Sequence, residues 1–348
     1  MRRALAVAVL LLAPQLFAQA SDKVREGIAL FDQGRYDEAF AKYKEALAAN
    51  PQDATAAYEL GLTYAAKGDY GQCAATLDPI ASRPSQSQLT VLTMLGNCLD
   101  SGGNRTKAIE AYRRGLKIAP DDPALNFELG IALYGAGKYA EARQALQKDT
   151  LGRPGHAMGR YALAQAFETS NFRIPALLEF LHFLALDPSS ARAAESAKHV
   201  RALMNAGVEQ KDSKNITLTV DPDGPKDEGD YNALAMGVTL AAAARFTEKN
   251  ENKSEFEQWR GALDSALNIF IEMTATTRRD YTARAHVPFF SAMKKAGLME
   301  TFAGIALLPL RLDGGDAWAK ANAKPIADFE KWMEPQRNAR AIVEMPVK

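Results

Sequence analysis

The chain has 348 residues, 47 % apolar and 24 % charged, with lysine plus arginine equal to aspartate plus glutamate at 42 each. That length accommodates two domains, and the composition is ordinary for a globular protein. The even charge balance argues against nucleic acid as a partner, because a polyanion calls for a clearly basic surface.

The first predicted element is residues 1–20, MRRALAVAVLLLAPQLFAQA. Arg2 and Arg3 precede an apolar run from Ala4 to Leu12, and Ala18-Gln19-Ala20 supplies small residues. This is the pattern of a secretory signal peptide with cleavage after Ala20, which places the mature chain in the periplasm or outside the cell. The run is shorter than the roughly 20 residues that cross a bilayer. No later segment is long and apolar enough to do so, and no membrane span is expected after cleavage.

From Ser21 a pattern returns. Small residues at Gly27, Gly61, Gly96, Gly130 and Ala164 lie 34 or 35 residues apart. Seven residues beyond each come Gly34, Gly68, Gly103, Gly137 and Asn171. An aromatic follows at Tyr36, Tyr70 and Tyr139, replaced by Arg105 and Arg173 in the third and fifth copies. Then come a small residue (Ala39, Cys73, Ala108, Ala142, Ala176) and a large apolar one (Tyr43, Leu77, Tyr112, Leu146, Phe180). Pro51, Pro120 and Pro188 close the first, third and fifth copies. Apolar residues recur three and four apart, so each copy reads as two helices joined by a tight turn. The turn glycine accepts a positive φ, and the small residues let two backbones approach. Asp78-Pro79 is expected to kink the second helix of copy two or end it early. Ser189 to Gly207 reads as a capping helix, which closes the exposed end of a repeat stack.

On these residues the segment from Ser21 to Pro188 resembles the tetratricopeptide repeat family. The resemblance implies an all-α fold, a right-handed solenoid of about five helix-turn-helix repeats with a capping helix over residues 21–204. It also implies that the first helix of each copy lines a concave face. Position by position, that face receives Phe31, Tyr58, Leu62, Asn97, Phe127, Ile131, Tyr134 and Tyr161. These residues are aromatic and aliphatic with few charges, which points to a peptide or protein partner with apolar anchors. Some members grip a terminal carboxylate with lysines and asparagines at these positions; here only Asn97 fits, so that clamp is not expected. The alternative is that the chain's own C-terminal half fills the groove.

Cys73 and Cys98 fall on neighbouring helices of copies two and three. In an exported chain they could form a disulfide. They could equally be two small residues filling crowded crossings.

The 34-residue register stops after Asn205. Residues 205–227 read as a charged, glycine- and proline-containing linker, with Ile216, Leu218 and Val220 forming an extended segment that pairs with nothing. Asp221-Pro-Asp223-Gly begins like a calcium loop but lacks the later ligands, and reads as a solvated turn. Residues 228–335 read as a C-terminal all-α domain of four or five helices, and 336–348 as a tail. Ser254 with Glu257 forms a capping-box start. A kink is expected at Pro288, and the aspartates of Asp313-Gly-Gly-Asp316 suit a helix N-cap. The four histidines are scattered, no metal-ligand set or phosphate loop appears, and no cofactor is expected. The expected function is that of an exported, non-enzymatic scaffold. The alternatives are an enzyme with its site in residues 228–335, or a glycan binder that stacks sugars on Trp259, Trp318 or Trp332.

Overall fold

The computed structural model describes residues 22–85, 87–210, 215–219, 228–274 and 280–339. Residues 1–20, with the expected signal sequence, and the Asp221-Asp223 turn lie outside the described residues. The described residues are almost wholly helical. By packing, the chain divides into a first unit ending at Ala136 and a second beginning at Gly137.

The first unit contains α1 (residues 22–32), α2 (Tyr36–Ala49), α3 (Ala54–Ala66), α4 (Tyr70–Ala81), α5 (Gln88–Ser101), α6 (Arg105–Ile118) and α7 (Pro123–Gly135). Successive helices pack against each other, as helical hairpins must to bury apolar faces too small to stand alone. Starts are set by side-chain caps. The Asp53 carboxylate accepts from the Thr55 and Ala56 amides, Asp69 from Gln72, and Asp122 from Leu125. Gly34, Gly68 and Gly103 turn the chain at φ of 74°, 76° and 81°, where a Cβ would be strained. The small residue of each first helix has a packing reason. The Tyr43 ring lies against Gly27, Leu77 against Gly61 and the Tyr112 ring against Gly96, and an added Cβ would collide with each. Arg105 stands where other copies have tyrosine. It donates to Asp100 at 3.0 Å and to the carbonyl of Gly135 at 2.9 Å, tying its turn to the end of α7. Helix α4 does not stop at Asp78. Pro79 sits two residues before its end, where a missing amide costs one bond of the last turn.

A disulfide joins Cys73 of α4 to Cys98 of α5 with a Cα–Cα separation of 6.0 Å. Both residues are buried. Closing a loop of 25 residues removes denatured-chain entropy. Reduction, or Cys73→Ala with Cys98→Ala, is therefore expected to cost about 3 kcal/mol, seen as a lower urea midpoint. Equal midpoints with and without reductant would show that the bridge adds nothing.

The second unit contains α8 (Tyr139–Gly152), α9 (Ala157–Thr169), α10 (Arg173–Leu186), α11 (Ala193–Asn205), α12 (Asn232–Ala243), α13 (Glu255–Thr274), α14 (Tyr281–Lys295), α15 (Met299–Ile305), α16 (Gly315–Ala321) and α17 (Ala323–Arg337). Asn171 takes the turn conformation at φ 61° in place of glycine. Pro175 falls in the first turn of α10, where its missing amide would have no intrahelical partner. Arg173, the other arginine at a tyrosine position, donates to the Leu203 and Met204 carbonyls at the end of α11 and to Thr239. The helices on both sides of residues 205–227 share one apolar core. Phe180, Phe183 and Leu184 of α10 join Trp259, Phe270, Phe290, Phe302 and Phe329. Helix α10 touches α9, α11, α12, α14, α15 and α17. As a result every residue from Ile174 to Leu186 is buried, not one face only.

Two sequence expectations change here. The extended segment does pair. Strand β1 (Val208–Gln210) runs antiparallel to β2 (Ile216–Leu218), with Val208 opposite Leu218. The cap of α16 is Gly314 at φ 88°, not an aspartate side chain. The capping box forms as expected, the Ser254 hydroxyl accepting from the Glu257 amide and the Ser254 amide donating to the Glu257 carboxylate.

Candidate binding face and a buried charge cluster

In the first unit, the expected partner-facing residues lie on first helices of their hairpins. Phe31 ends α1, Tyr58 and Leu62 lie on α3, Asn97 on α5, and Phe127, Ile131 and Tyr134 on α7. All are half-buried except Ile131, which is 37 % exposed. Phe31 is braced edge-on by Tyr36, with centroids 5.0 Å apart. Asn97 is already engaged, because its side-chain carbonyl accepts the Tyr112 hydroxyl at 2.7 Å. Tyr161 belongs to the second unit and departs from expectation. It is only 7 % exposed, donates its hydroxyl to Glu195 at 3.0 Å and packs against Phe183. It is part of the core, since its own unit covers that face of α9.

The second unit holds a cluster of buried charged and polar side chains. The Arg160 guanidinium on α9 donates to both carboxylate oxygens of Glu179 on α10, at 3.2 Å each. The Tyr281 hydroxyl and His286 Nε2 on α14 also donate to that carboxylate, His286 at 3.0 Å. With Nε2 carrying its proton, His286 accepts at Nδ1, and His182 Nδ1 lies 3.2 Å away to donate. The Thr150 hydroxyl lies 2.7 Å from that of Tyr281. Nearby, buried Asp149 takes Arg153 and His156 at 2.7 Å and 2.8 Å.

Residues 27–68 match a family model described as TPR repeat, and residues 101–166 one described as tetratricopeptide repeat. The N-terminal half of this chain is a tetratricopeptide-repeat array. Its repeats are similar in fold to several solved proteins. One is YrrB, described as a TPR protein with an unusual peptide-binding site, at 22 % identity over 51 % of this chain and 90 % of that one, TM-score 0.45. Another is MamA from Desulfovibrio magneticus RS-1, at 20 % identity over 50 % and 97 %, TM-score 0.45. A third is PilF of Pseudomonas aeruginosa, at 15 % identity over 55 % and 86 %, TM-score 0.47. No curated protein matches the chain.

The cluster's electrostatics follow from burial beside the repeats. Burial alone would push the Glu179 carboxyl up. The Arg160 guanidinium and then His286 outweigh it and hold the carboxyl down at about 2. Burial drives His182 well below the ordinary imidazole value, with Arg160 and His286 adding to the effect. His286 is also lowered by burial, which Glu179 only partly counters. Both imidazoles are therefore neutral at pH 7, as the donor chain requires. A carboxylate, a guanidinium, a phenol and two imidazoles would suit acid–base chemistry. Yet Arg160, Glu179, His182, Tyr281 and His286 are all buried, Tyr281 the most open at 9 %. The sequence did carry a signal, one glutamate and one histidine inside the apolar run LLEFLHFLAL. Their partner His286 is 107 residues beyond Glu179.

Of the three indoles considered for sugar stacking, Trp259 is buried, while Trp318 and Trp332 are half-buried. Trp259 is buried under Arg245, whose guanidinium carbon is 3.3 Å from the ring centroid. Trp318 packs on Phe256 at 5.2 Å and over Gly304, and Trp332 on Phe289 at 5.7 Å. Among the described residues, no group of three or more His, Cys, Asp or Glu side chains could hold a metal, and no helix is long and apolar enough to cross a membrane.

Proposed function

We propose that this protein is an exported, non-enzymatic scaffold that holds a peptide or protein segment of the cell envelope on the first-helix face of its repeats. The observation that carries this reading is the row of part-exposed apolar side chains in the first unit: Phe31, Tyr58, Leu62, Ile131 and Tyr134. Side chains of this size left part-open on a repeat face are characteristic of a binding surface. Tetratricopeptide-repeat proteins are in general protein–protein interaction scaffolds. Export rests on the pattern of residues 1–20, and sequencing the mature protein is expected to start at Ser21.

The test is photo-cross-linking in cells, with a benzophenone amino acid at position 58 or 131 of the full chain and a control at position 118. Ile118 is 49 % exposed but lies on a second helix. One defined adduct from positions 58 and 131, absent from 118, is the expected result. Leu62→Ala combined with Tyr134→Ala should lower its yield about tenfold or more, since interface aromatics commonly carry 1–2 kcal/mol each. No adduct, or the same adducts from position 118, would rule out this face.

A further inference from the structure

In the second unit a cleft of about 580 Å³ opens between the start of α11 and the 3₁₀ turn Leu308–Leu310. That volume falls within the roughly 300–1,000 Å³ usual for small-ligand sites. Pro188, Ala194, Leu308 and Pro309 give the cleft apolar walls, and Arg311 is its one charged lining residue. No acidic side chain lines it. Glu195, the acid next to Ala194, is engaged by the Tyr161 hydroxyl at 3.0 Å.

The Arg311 backbone is left-handed, at φ 52° and ψ 40°. Among the described residues, Asn171 is the only other non-glycine residue with a positive φ, and it fills a repeat turn where the other copies have glycine. This conformation is strained for any side chain with a Cβ and relaxed for glycine. The turn's closing bond, from the Arg311 amide to the Leu308 carbonyl at 3.0 Å, uses backbone alone, so glycine would make it equally well. The arginine side chain does not offset the strain from within. Among the described residues no hydrogen bond, ion pair or ring contact reaches its guanidinium, which stands exposed on the cleft wall. Backbone strain held without an internal reason is characteristic of ligand sites.

Charge and shape narrow the ligand. One guanidinium, with no second cation on the wall, balances one negative charge, and its planar fork matches the two oxygens of a carboxylate. A phosphate dianion would leave a charge uncompensated between apolar walls. Helix α11 starts without a side-chain cap, and its first turn, with Ala193 and Ala194 on the same wall, adds the positive end of a helix dipole. We propose that this cleft binds a monoanionic carboxylate carried on a small branched apolar group. Arg311 receives the carboxylate, and Pro188, Leu308 and Pro309 enclose the hydrocarbon. Such a ligand is a free branched-chain acid or the last residue of a peptide. The cleft lies wholly in the second unit, so this inference does not rest on the first-helix face.

The test is a titration of the full chain with its leucine methyl groups carbon-13 labelled and ionic strength held constant. Leu308→Ile identifies the Leu308 signals. The probes are sodium isocaproate and sodium N-acetylleucinate, with neutral N-acetylleucinamide as the control. Both acids should shift the Leu308 signals saturably, with half-saturation in the millimolar range open to ligands of this size. The tighter of the two distinguishes a free acid from a peptide terminus. Arg311→Gly should weaken binding about tenfold or more, yet melt at or above the parent temperature because glycine relieves the strain. Arg311→Lys should bind more weakly than the parent and more tightly than Arg311→Gly, since it keeps the charge and loses the fork. Lys320→Gln, a charge outside the cleft wall, should change nothing. An amide that shifts the signals as much as the acids, or acid binding that Arg311→Gly leaves intact, overturns the proposal. So does inorganic phosphate displacing the acids at lower concentration, which would make the cleft a general anion site.

Discussion

Arg160→Met is expected to lower the melting temperature of the transition that unfolds the second unit by about 10 °C. The substitution leaves Glu179 in a fully buried site without its guanidinium, keeping only the Tyr281 and His286 donors. Removing one member of a buried ion pair costs about 3–5 kcal/mol, because the remaining charge is uncompensated. For a unit of this size each kcal/mol moves the transition by about 2–4 °C. The companion experiment is Arg160→Met combined with Glu179→Met. Two apolar side chains of similar length remove both charges, and the double variant should be more stable than either single one. Calorimetry of the three proteins gives the coupling directly. An Arg160→Met protein that melts within about 2 °C of the parent would mean that the pair contributes little, and that the cluster's role lies elsewhere.

Acidification is expected to destabilise the same unit in two stages. His182 and His286 are held neutral by burial, while in the unfolded chain both protonate near the ordinary value of 6.5. Below that value the unfolded state binds more protons, so stability falls as pH falls. Each histidine that stays neutral to pH 5 removes about 2 kcal/mol between pH 7 and pH 5. Glu179 behaves differently, because its folded value is held at about 2 against 4.5 unfolded. Its contribution is fully present above 4.5 and is lost as pH falls from there toward 2. Urea midpoints measured from pH 7 to pH 3 would show both stages. His182→Gln should remove about half of the first stage and leave the second. A midpoint flat from pH 7 to pH 5 would contradict the burial of two neutral imidazoles.

The repeat array was legible because its determinants are local. Gly27, Gly61 and Gly96 recur since a ring or a leucine from the same hairpin must lie against them. Gly34, Gly68 and Gly103 recur since the turn needs a positive φ. Cys73 and Cys98 were placed side by side from their positions in adjacent repeats, and the structure joins them. The departures Arg105 and Arg173 were visible as departures, but their reason was not. Each reaches a helix end about 30 residues further on, which no period in the sequence encodes. Tyr43 and Tyr112 could be aligned, but only the packing shows that Asn97 serves one hydroxyl while nothing serves the other.

The sequence by itself determined the helices, their turns, the repeat period and the apolar first-helix face, because each depends on residues within about one repeat of each other. Only the tertiary structure decided that α10 is enclosed on every side and that Tyr161 is core. It alone brought Arg160, Glu179, Tyr281 and His286 together out of solvent. It also paired the expected lone strand with Val208–Gln210. The physical reason is desolvation. Whether a side chain is groove, core or ion pair depends on what covers it, and here the cover comes from helices about a hundred residues away.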